Sequence, residues 1–79
     1  MDRPDFQAEI RELNLAYLML AQQMLRSDRA TALFRLGIGD ELADVIESMS
    51  AAKLVRMAGS QMLLPCFRFD DAQLARLMA

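Results

Sequence analysis

The sequence predicts an all-α fold, a small bundle of one long helix and about four short helices with one short extended segment. Over the first third of the chain, apolar residues recur every three or four positions, which is typical of a helix. The rest is divided by Asp, Ser and Gly residues of the kind that begin and end helices. A length of 79 residues fits one domain, which we expect to span residues 1–79.

The long helix is predicted to run from Asp5 to about Leu25. Pro4 suits the start of a helix, and Asp2 or Asp5 can cap it. Its apolar stripe consists of Phe6, Ile10, Leu13, Tyr17, Leu20, Ala21 and Met24, with Leu15 and Met19 on the opposite side. A helix that is apolar nearly all round is buried on more than one face.

Covering the long helix on every side requires more chain than is present. The helix is about 30 Å long, and the short elements have room for one side of it. An exposed apolar face usually marks an interface, so we predict that two copies form an intertwined homodimer. The alternative is a helix central to a monomeric core.

Asn14 interrupts the apolar stripe and has two interpretations. A buried amide can fix the register of an association, as a single Asn does in coiled coils. It can equally be satisfied by backbone groups nearby.

Four short helices are expected after the long one, each with a capping residue. They are predicted at Arg29–Leu36, Glu41–Ser48, Ala51–Ala58 and Asp71–Met78, with Asp28, Asp40, Ser50 and Asp70 as N-caps. Gly37 and Gly59 are expected to end the first and third of these short helices. The apolar stretch Met62–Phe69 contains Pro65, which helix interiors exclude. We predict an extended segment there, as a short strand pairing across a two-fold axis.

The composition argues against catalysis and against a metal site. Histidine is absent and there is one cysteine, so the usual acid–base residue and a zinc-binding cluster are both missing. We predict that the chain is no enzyme and holds no cofactor or metal. We also expect no membrane span and a cytoplasmic location, because no apolar run is long enough to cross a bilayer and no export signal is visible.

The charge balance bears on nucleic acids. The net charge is −2, whereas a domain that binds DNA unaided usually carries a basic patch. The helices predicted at Glu41–Ser48 and Ala51–Ala58 can be interpreted as a helix-turn-helix-like pair. In this interpretation Ala51–Ala58 is the recognition helix and presents Lys53 and Arg56 to phosphates. The alternative is two core helices joined by a Ser cap, which the small number of cations favours.

Three strings of residues carry more information than the periodicity does. They are NLAYLMLAQ at 14–22, ATALFRLGI at 30–38 and FRFD at 67–70. In this order and spacing they resemble the FlhD family of flagellar transcriptional activator subunits, over nearly the whole chain from about Glu9. The resemblance implies a helical homodimer that assembles with FlhC into a heteromeric complex. That complex would bind flagellar class II promoter DNA and engage RNA polymerase, and DNA would be reached only through it.

The resemblance also implies two sets of site residues. The first helix is similar to the family's dimer core, and the predicted dimer interface comprises Leu13, Asn14, Tyr17, Leu18, Ala21, Leu64, Cys66 and Phe67. The predicted FlhC-binding residues are Asp28, Phe34 and Arg35, because a large ring beside a guanidinium is typical of binding hot spots. The alternative places Phe34 in the core and pairs Arg35 with a helix-end carboxylate.

Two departures from the family pattern have consequences. Some members have a cysteine followed by a histidine just ahead of FRFD, and that cysteine can bridge the subunits. Pro65 stands at the cysteine's place here and Cys66 at the histidine's. An interchain disulfide through Cys66 then requires the two-fold axis to pass close by, and we expect dimerisation to rest on packing.

The second departure is length, because FlhD-like chains usually continue with further helices, an extension that we expect to be absent here. One alternative function is therefore an interaction module that dimerises and binds FlhC without activating transcription. A stand-alone DNA-binding repressor is a further possibility, against which the charge balance argues.

Overall fold

The computed structural model describes residues 6–60, 62–66, 68 and 71–79. Five helices follow one another in the described residues: α1 (Gln7–Ser27), α2 (Arg29–Leu36), α3 (Asp40–Ser48), α4 (Ala51–Ala58) and α5 (Asp71–Met78). The predicted all-α class is confirmed, with one long helix and four short ones in the predicted order.

The predicted extended segment is described at 62–66 and 68. These residues follow a bent, non-helical path and form no strand within the single chain, and Phe67 and Phe69 lie outside the described residues. Pairing of this segment with a second copy stays a prediction.

Helix α1 begins at Gln7 and ends at Ser27, two residues beyond its predicted end. It ends there because Asp28 adopts an extended conformation, with φ −157°, and starts the next helix. The carboxylate of Asp28 accepts hydrogen bonds from the backbone N–H of Thr31 at 3.2 Å and from its hydroxyl at 2.7 Å. The predicted Asp28 cap is thus confirmed. The proposed caps Asp2, Asp5 and Asp70 lie outside the described residues.

The caps of α3 and α4 show one correction and one confirmation. The prediction that Asp40 caps α3 is wrong, since Gly39 occupies the N-cap position and Asp40 is the first helical residue. A carboxylate in the first turn still interacts favourably with the positive end of the helix dipole. Ser50 caps α4 as predicted, accepting a hydrogen bond from the N–H of Lys53 at 3.2 Å.

Helix α1 is the centre of the bundle and packs against α2, α3 and α4. The buried apolar residues form two clusters. The first comprises Ala21, Leu25, Ala32, Ala43 and Ile46, and the second comprises Leu18, Leu54 and Ala58. Met49, between α3 and α4, is half-buried and packs against both. Among the described residues, α5 makes no extensive contact with the other helices.

Two buried amides on α1 hold the ends of α3 and α4. Gln22 Nε2 donates to the carbonyls of Ile46 and Met49, each at 2.9 Å. Asn14 Nδ2 donates to the carbonyl of Ala58, the last residue of α4, at 3.2 Å. Carbonyls at helix C-termini lack intrahelical partners, so these amides satisfy groups that burial would otherwise leave unpaired.

Asn14 also organises the segment that follows α4. Its Nδ2 donates to the carbonyl of Met62 at 3.0 Å, and its Oδ1 accepts from the N–H of Leu64 at 2.7 Å. The structure confirms the interpretation in which backbone groups of the same chain satisfy this amide. Asn14 is 0% exposed, so its bond to Ala58 is buried, and its bonds to Met62 and Leu64 are partly buried.

Replacing Asn14 by Ala should lower the free energy of unfolding by about 2–3 kcal/mol, because two carbonyls and one N–H lose their partner at a buried or partly buried position. The matched control is Gln23→Ala, which removes an exposed amide from the same helix and should cost less than about 0.5 kcal/mol. Urea denaturation followed by circular dichroism measures both. Equal losses for the two variants would contradict the assigned role of Asn14.

Gly37 offers a second comparison, since it ends α2 with φ +70°. A Cβ there would lie 3.2 Å from Cζ of Arg68, whereas one at Gly39 would have no atom within 4 Å. Gly37→Ala should therefore destabilise the fold by about 1–2 kcal/mol. Gly39→Ala should cost less than about 1 kcal/mol, because its φ of −93° suits any residue and only a favoured N-cap residue is lost. Thermal unfolding of both variants measures the difference; a Gly37→Ala variant as stable as Gly39→Ala would refute it.

Candidate interaction surfaces

The residues predicted for the dimer interface fall on two faces of α1. Asn14, Leu18 and Ala21 are at most 2% exposed and lie in the chain's own core. Each helical residue advances about 100° around the axis, which places Leu13 and Tyr17 on the neighbouring face. There Leu13 is 52% exposed, while Tyr17 is half-buried. Contact of any of these residues with a second copy stays a prediction.

The neighbouring face of α1 extends in both directions along the helix. Phe6 and Leu20 are both more than half exposed and share this face with Leu13. At its N-terminal end, an open groove of about 380 Å³ is lined by Phe6, Glu9, Ile10, Leu13 and Leu63. We call the surface formed by Phe6, Ile10, Leu13, Tyr17 and Leu20 the α1 apolar face. As the sequence predicted, the short helices leave part of α1 uncovered.

The remaining predicted interface residues lie after α4. Leu64 is half-buried and packs against the second core cluster. Cys66 is an exposed free thiol, and Phe67 lies outside the described residues. The interchain disulfide through Cys66 stays a prediction.

Helix α2 carries the predicted FlhC-binding residues. Phe34 is 82% exposed, so the alternative that placed it in the core is wrong. Arg35, next to it, is also exposed, and no described carboxylate forms an ion pair with it. Its backbone carbonyl accepts a hydrogen bond from the guanidinium of Arg68. Among the described residues, an exposed aromatic ring therefore lies beside a cation that forms no ion pair, at the C-terminal end of α2.

Asp28 lies at the opposite end of α2, where it serves as the N-cap. The hydrogen bond from the Thr31 hydroxyl, reinforced by the one from its backbone N–H, lowers the pKa of Asp28. The carboxylate therefore stays ionised at neutral pH and presents a negative charge at this end of the helix. Its role in binding FlhC stays a prediction.

Arg29 fixes α2 against α3. Its guanidinium contacts Asp44 at 2.7 Å, Glu47 at 2.8 Å and Asp40 at 3.3 Å. The hydrogen bond to Asp44 is the main cause of a raised pKa for Arg29, so this cation keeps its charge. Because the side chains are partly or fully exposed, the network contributes orientation more than stability.

Helix α4 agrees with the interpretation of α3 and α4 as core helices joined by a Ser cap. Leu54 and Ala58 are buried against α1, and Ser50 caps the helix. Lys53 and Arg56 remain exposed on its outer side. Contact of these two cations with DNA is untested.

The roles of two further residues were not recognised in the sequence. Gln22 lies eight positions after Asn14 and therefore on nearly the same side of α1, a spacing that indicates a second buried amide. Arg29 pairs with Asp40, Asp44 and Glu47, which are spaced along α3. An ion pair between two helices joined by a turn leaves no periodic signal in the sequence.

Over the described ranges, no group of three or more His, Cys, Asp or Glu side chains is placed to hold a metal ion. None of the helices described is both long and apolar enough to cross a membrane.

Comparison with known proteins identifies relatives along the chain. A family described as "Flagellar transcriptional activator (FlhD)" matches residues 1–79. The flagellar transcriptional regulator FlhD of Ralstonia nicotianae is 62% identical over 71 residues, which cover 90% of this chain and 68% of the relative. The FlhD protein of Nitrosomonas europaea is 54% identical over 70 residues, covering 89% and 67%. That of Bordetella pertussis is 55% identical over 67 residues, covering 85% and 63%.

Proposed function

Because this chain belongs to the FlhD family of flagellar transcriptional activators, we propose that it acts as a transcriptional activator subunit in a complex with an FlhC-like protein. The complex binds promoter DNA of flagellar class II genes, engages RNA polymerase and activates transcription. The family is one of transcriptional regulators, which is not an enzyme class. Bacterial transcription takes place in the cytoplasm, where we accordingly locate the chain.

The exposed ring of Phe34 is the observation that carries this proposal. At 82% exposure, it leaves most of a large apolar side chain in water, and burial of such a side chain is worth about 2 kcal/mol. The adjacent guanidinium of Arg35 adds a donor with fixed geometry. Aromatic residues and arginines are the types enriched among interface hot spots, which supports a protein partner on this end of α2.

The charge balance supports a complex in which the FlhC-like partner makes most of the DNA contacts and this chain holds the partner in place. A net charge of −2 provides no general attraction for phosphates, whereas DNA affinity grows with the number of phosphates neutralised. An FlhC-like partner therefore supplies most of the contact with DNA. The present chain contributes assembly, because its α2 surface positions that partner.

The homodimer is the second part of the proposal. The α1 apolar face presents Phe6, Leu13 and Leu20, each more than half exposed, along one side of a helix of 21 residues. A continuous apolar surface of this kind is typical of protein–protein contacts. We propose that a second copy covers it, so that the dimer presents two α2 surfaces to FlhC-like partners.

Phe34→Ala should weaken binding to the FlhC-like partner by about 1–3 kcal/mol, or roughly 5- to 150-fold, because the ring is exposed in the free chain and buried in the complex. Isothermal titration calorimetry measures the affinity. The control is Leu77→Ala, which truncates an exposed apolar side chain on α5 and should leave binding unchanged. Unchanged binding by Phe34→Ala would remove this residue from the interface.

A gel shift with the purified complex separates activation from sequestration. A promoter fragment retarded further in the presence of both proteins supports the activator subunit. Binding to the FlhC-like partner with loss of DNA binding would support the alternative interaction module. Tight, salt-sensitive DNA binding by this chain alone would support a stand-alone repressor instead.

Leu20→Asp should shift the dimer towards folded monomers, because the interface would have to bury an unpaired carboxylate. Sedimentation at micromolar concentration should show at least a roughly tenfold weaker dimer, with unchanged helix content by circular dichroism. Val55→Asp, at a similarly exposed position on α4, is the control and should leave the dimer intact. A stable folded monomer of the unsubstituted chain would overturn the homodimer.

A further inference from the structure

An open groove runs between α3 and α4, away from the residues assigned above to the dimer and to the FlhC-like partner. It has a volume of about 550 Å³ and is lined by Val45, Ser48, Met49, Lys53, Arg56 and Met57. We call this the α3–α4 groove. Its lining combines three apolar side chains with two cations, and of the apolar ones Met49 also packs against the core while Val45 and Met57 are exposed.

The apolar part of the groove is accessible. Val45 is 51% exposed, and Met57 is exposed as well. Methionine side chains are flexible and polarizable, and they are frequent at surfaces that accept apolar side chains of a partner. These residues therefore offer an adaptable apolar contact surface.

The charged part of the groove is unpaired. Lys53 and Arg56 are three residues apart on α4 and so lie on the same side of that helix. Across the described part of the chain, no carboxylate forms an ion pair with either side chain. The carboxylates of Asp44 and Glu47 on α3 are engaged by Arg29 instead. Two cations beside an apolar groove, in an acidic chain, are complementary to an anionic ligand.

The apolar lining favours a protein ligand over DNA. Surfaces that contact DNA are polar and strongly basic, whereas this groove combines two cations with three apolar side chains. Phosphate binding gains little from so few cations. An amphipathic helix satisfies both parts of the groove, with apolar side chains towards Val45 and Met57 and carboxylates towards Lys53 and Arg56.

We propose that the α3–α4 groove docks an acidic amphipathic helix of a partner protein. This contact is additional to the function proposed above and uses none of the residues assigned to it. Helix α4 is about 12 Å long, so the groove accommodates about two turns of the docked helix.

The test uses the full chain with methyl-labelled methionines and two synthetic peptides of about 18 residues, long enough to form helices. Both peptides carry leucines at helical spacing; one has glutamates at its polar positions and the other has lysines. The acidic peptide should shift the NMR signals of Met49 and Met57 and leave that of Met19 on α1 in place. A basic peptide that shifts them equally, or an acidic peptide that shifts neither, would overturn the proposal.

Charge variants complete the experiment. Lys53→Glu with Arg56→Glu should weaken binding of the acidic peptide at least about tenfold, as measured by fluorescence anisotropy. Arg11→Glu with Arg76→Glu changes the net charge equally at exposed positions outside the groove and should have little effect. Equal weakening by both pairs would overturn the proposal, as would a short DNA duplex that shifts the two methionine signals when the peptide does not. Binding of the FlhC-like partner is measured separately, so failure here leaves the proposed function intact.

Discussion

The bundle depends on hydrogen bonds to the backbone carbonyls at the ends of its short helices. Helices of eight or nine residues are not stable alone, and their last carbonyls lack intrahelical partners. Asn14 and Gln22 of α1 meet both needs, because each amide donates to two backbone carbonyls at or just beyond the end of a short helix. Eight residues separate the two amides, or about 12 Å along the axis. Helix α1 thus sets the distance between the ends of α3 and α4 and also packs against both helices.

This arrangement determines which surfaces remain for partners. The face of α1 that carries the two amides also carries Leu18, Ala21 and Leu25, so it is occupied within the chain. The neighbouring face is left with apolar side chains in water, and α2 is held by Asp28 and Arg29 such that Phe34 points outwards. Intrachain polar contacts therefore leave two separate surfaces exposed, which are the ones proposed for a second copy and for a different protein.

Local sequence signals predicted the helices well, because capping residues and apolar spacing act within a few residues. Asp28, Ser50 and Gly37 each behave as predicted, while Asp40 shows that a carboxylate at a helix start can occupy the first turn instead of the cap. The family followed from strings of residues and not from periodicity. The hydrogen bonds of Asn14 and Gln22 join residues 24 to 50 positions apart, and such contacts leave no periodic trace in one sequence. For the same reason, periodicity alone did not indicate which side of α1 is its core face and which is exposed.

Met49 has a consequence for how the domain unfolds. Its side chain packs against both apolar clusters, and its carbonyl accepts one of the hydrogen bonds from Gln22. Loss of either cluster thus removes support from the other, which couples the two halves into one cooperative unit. We therefore expect a domain of this size to unfold in a single transition, with α3 and α4 lost together.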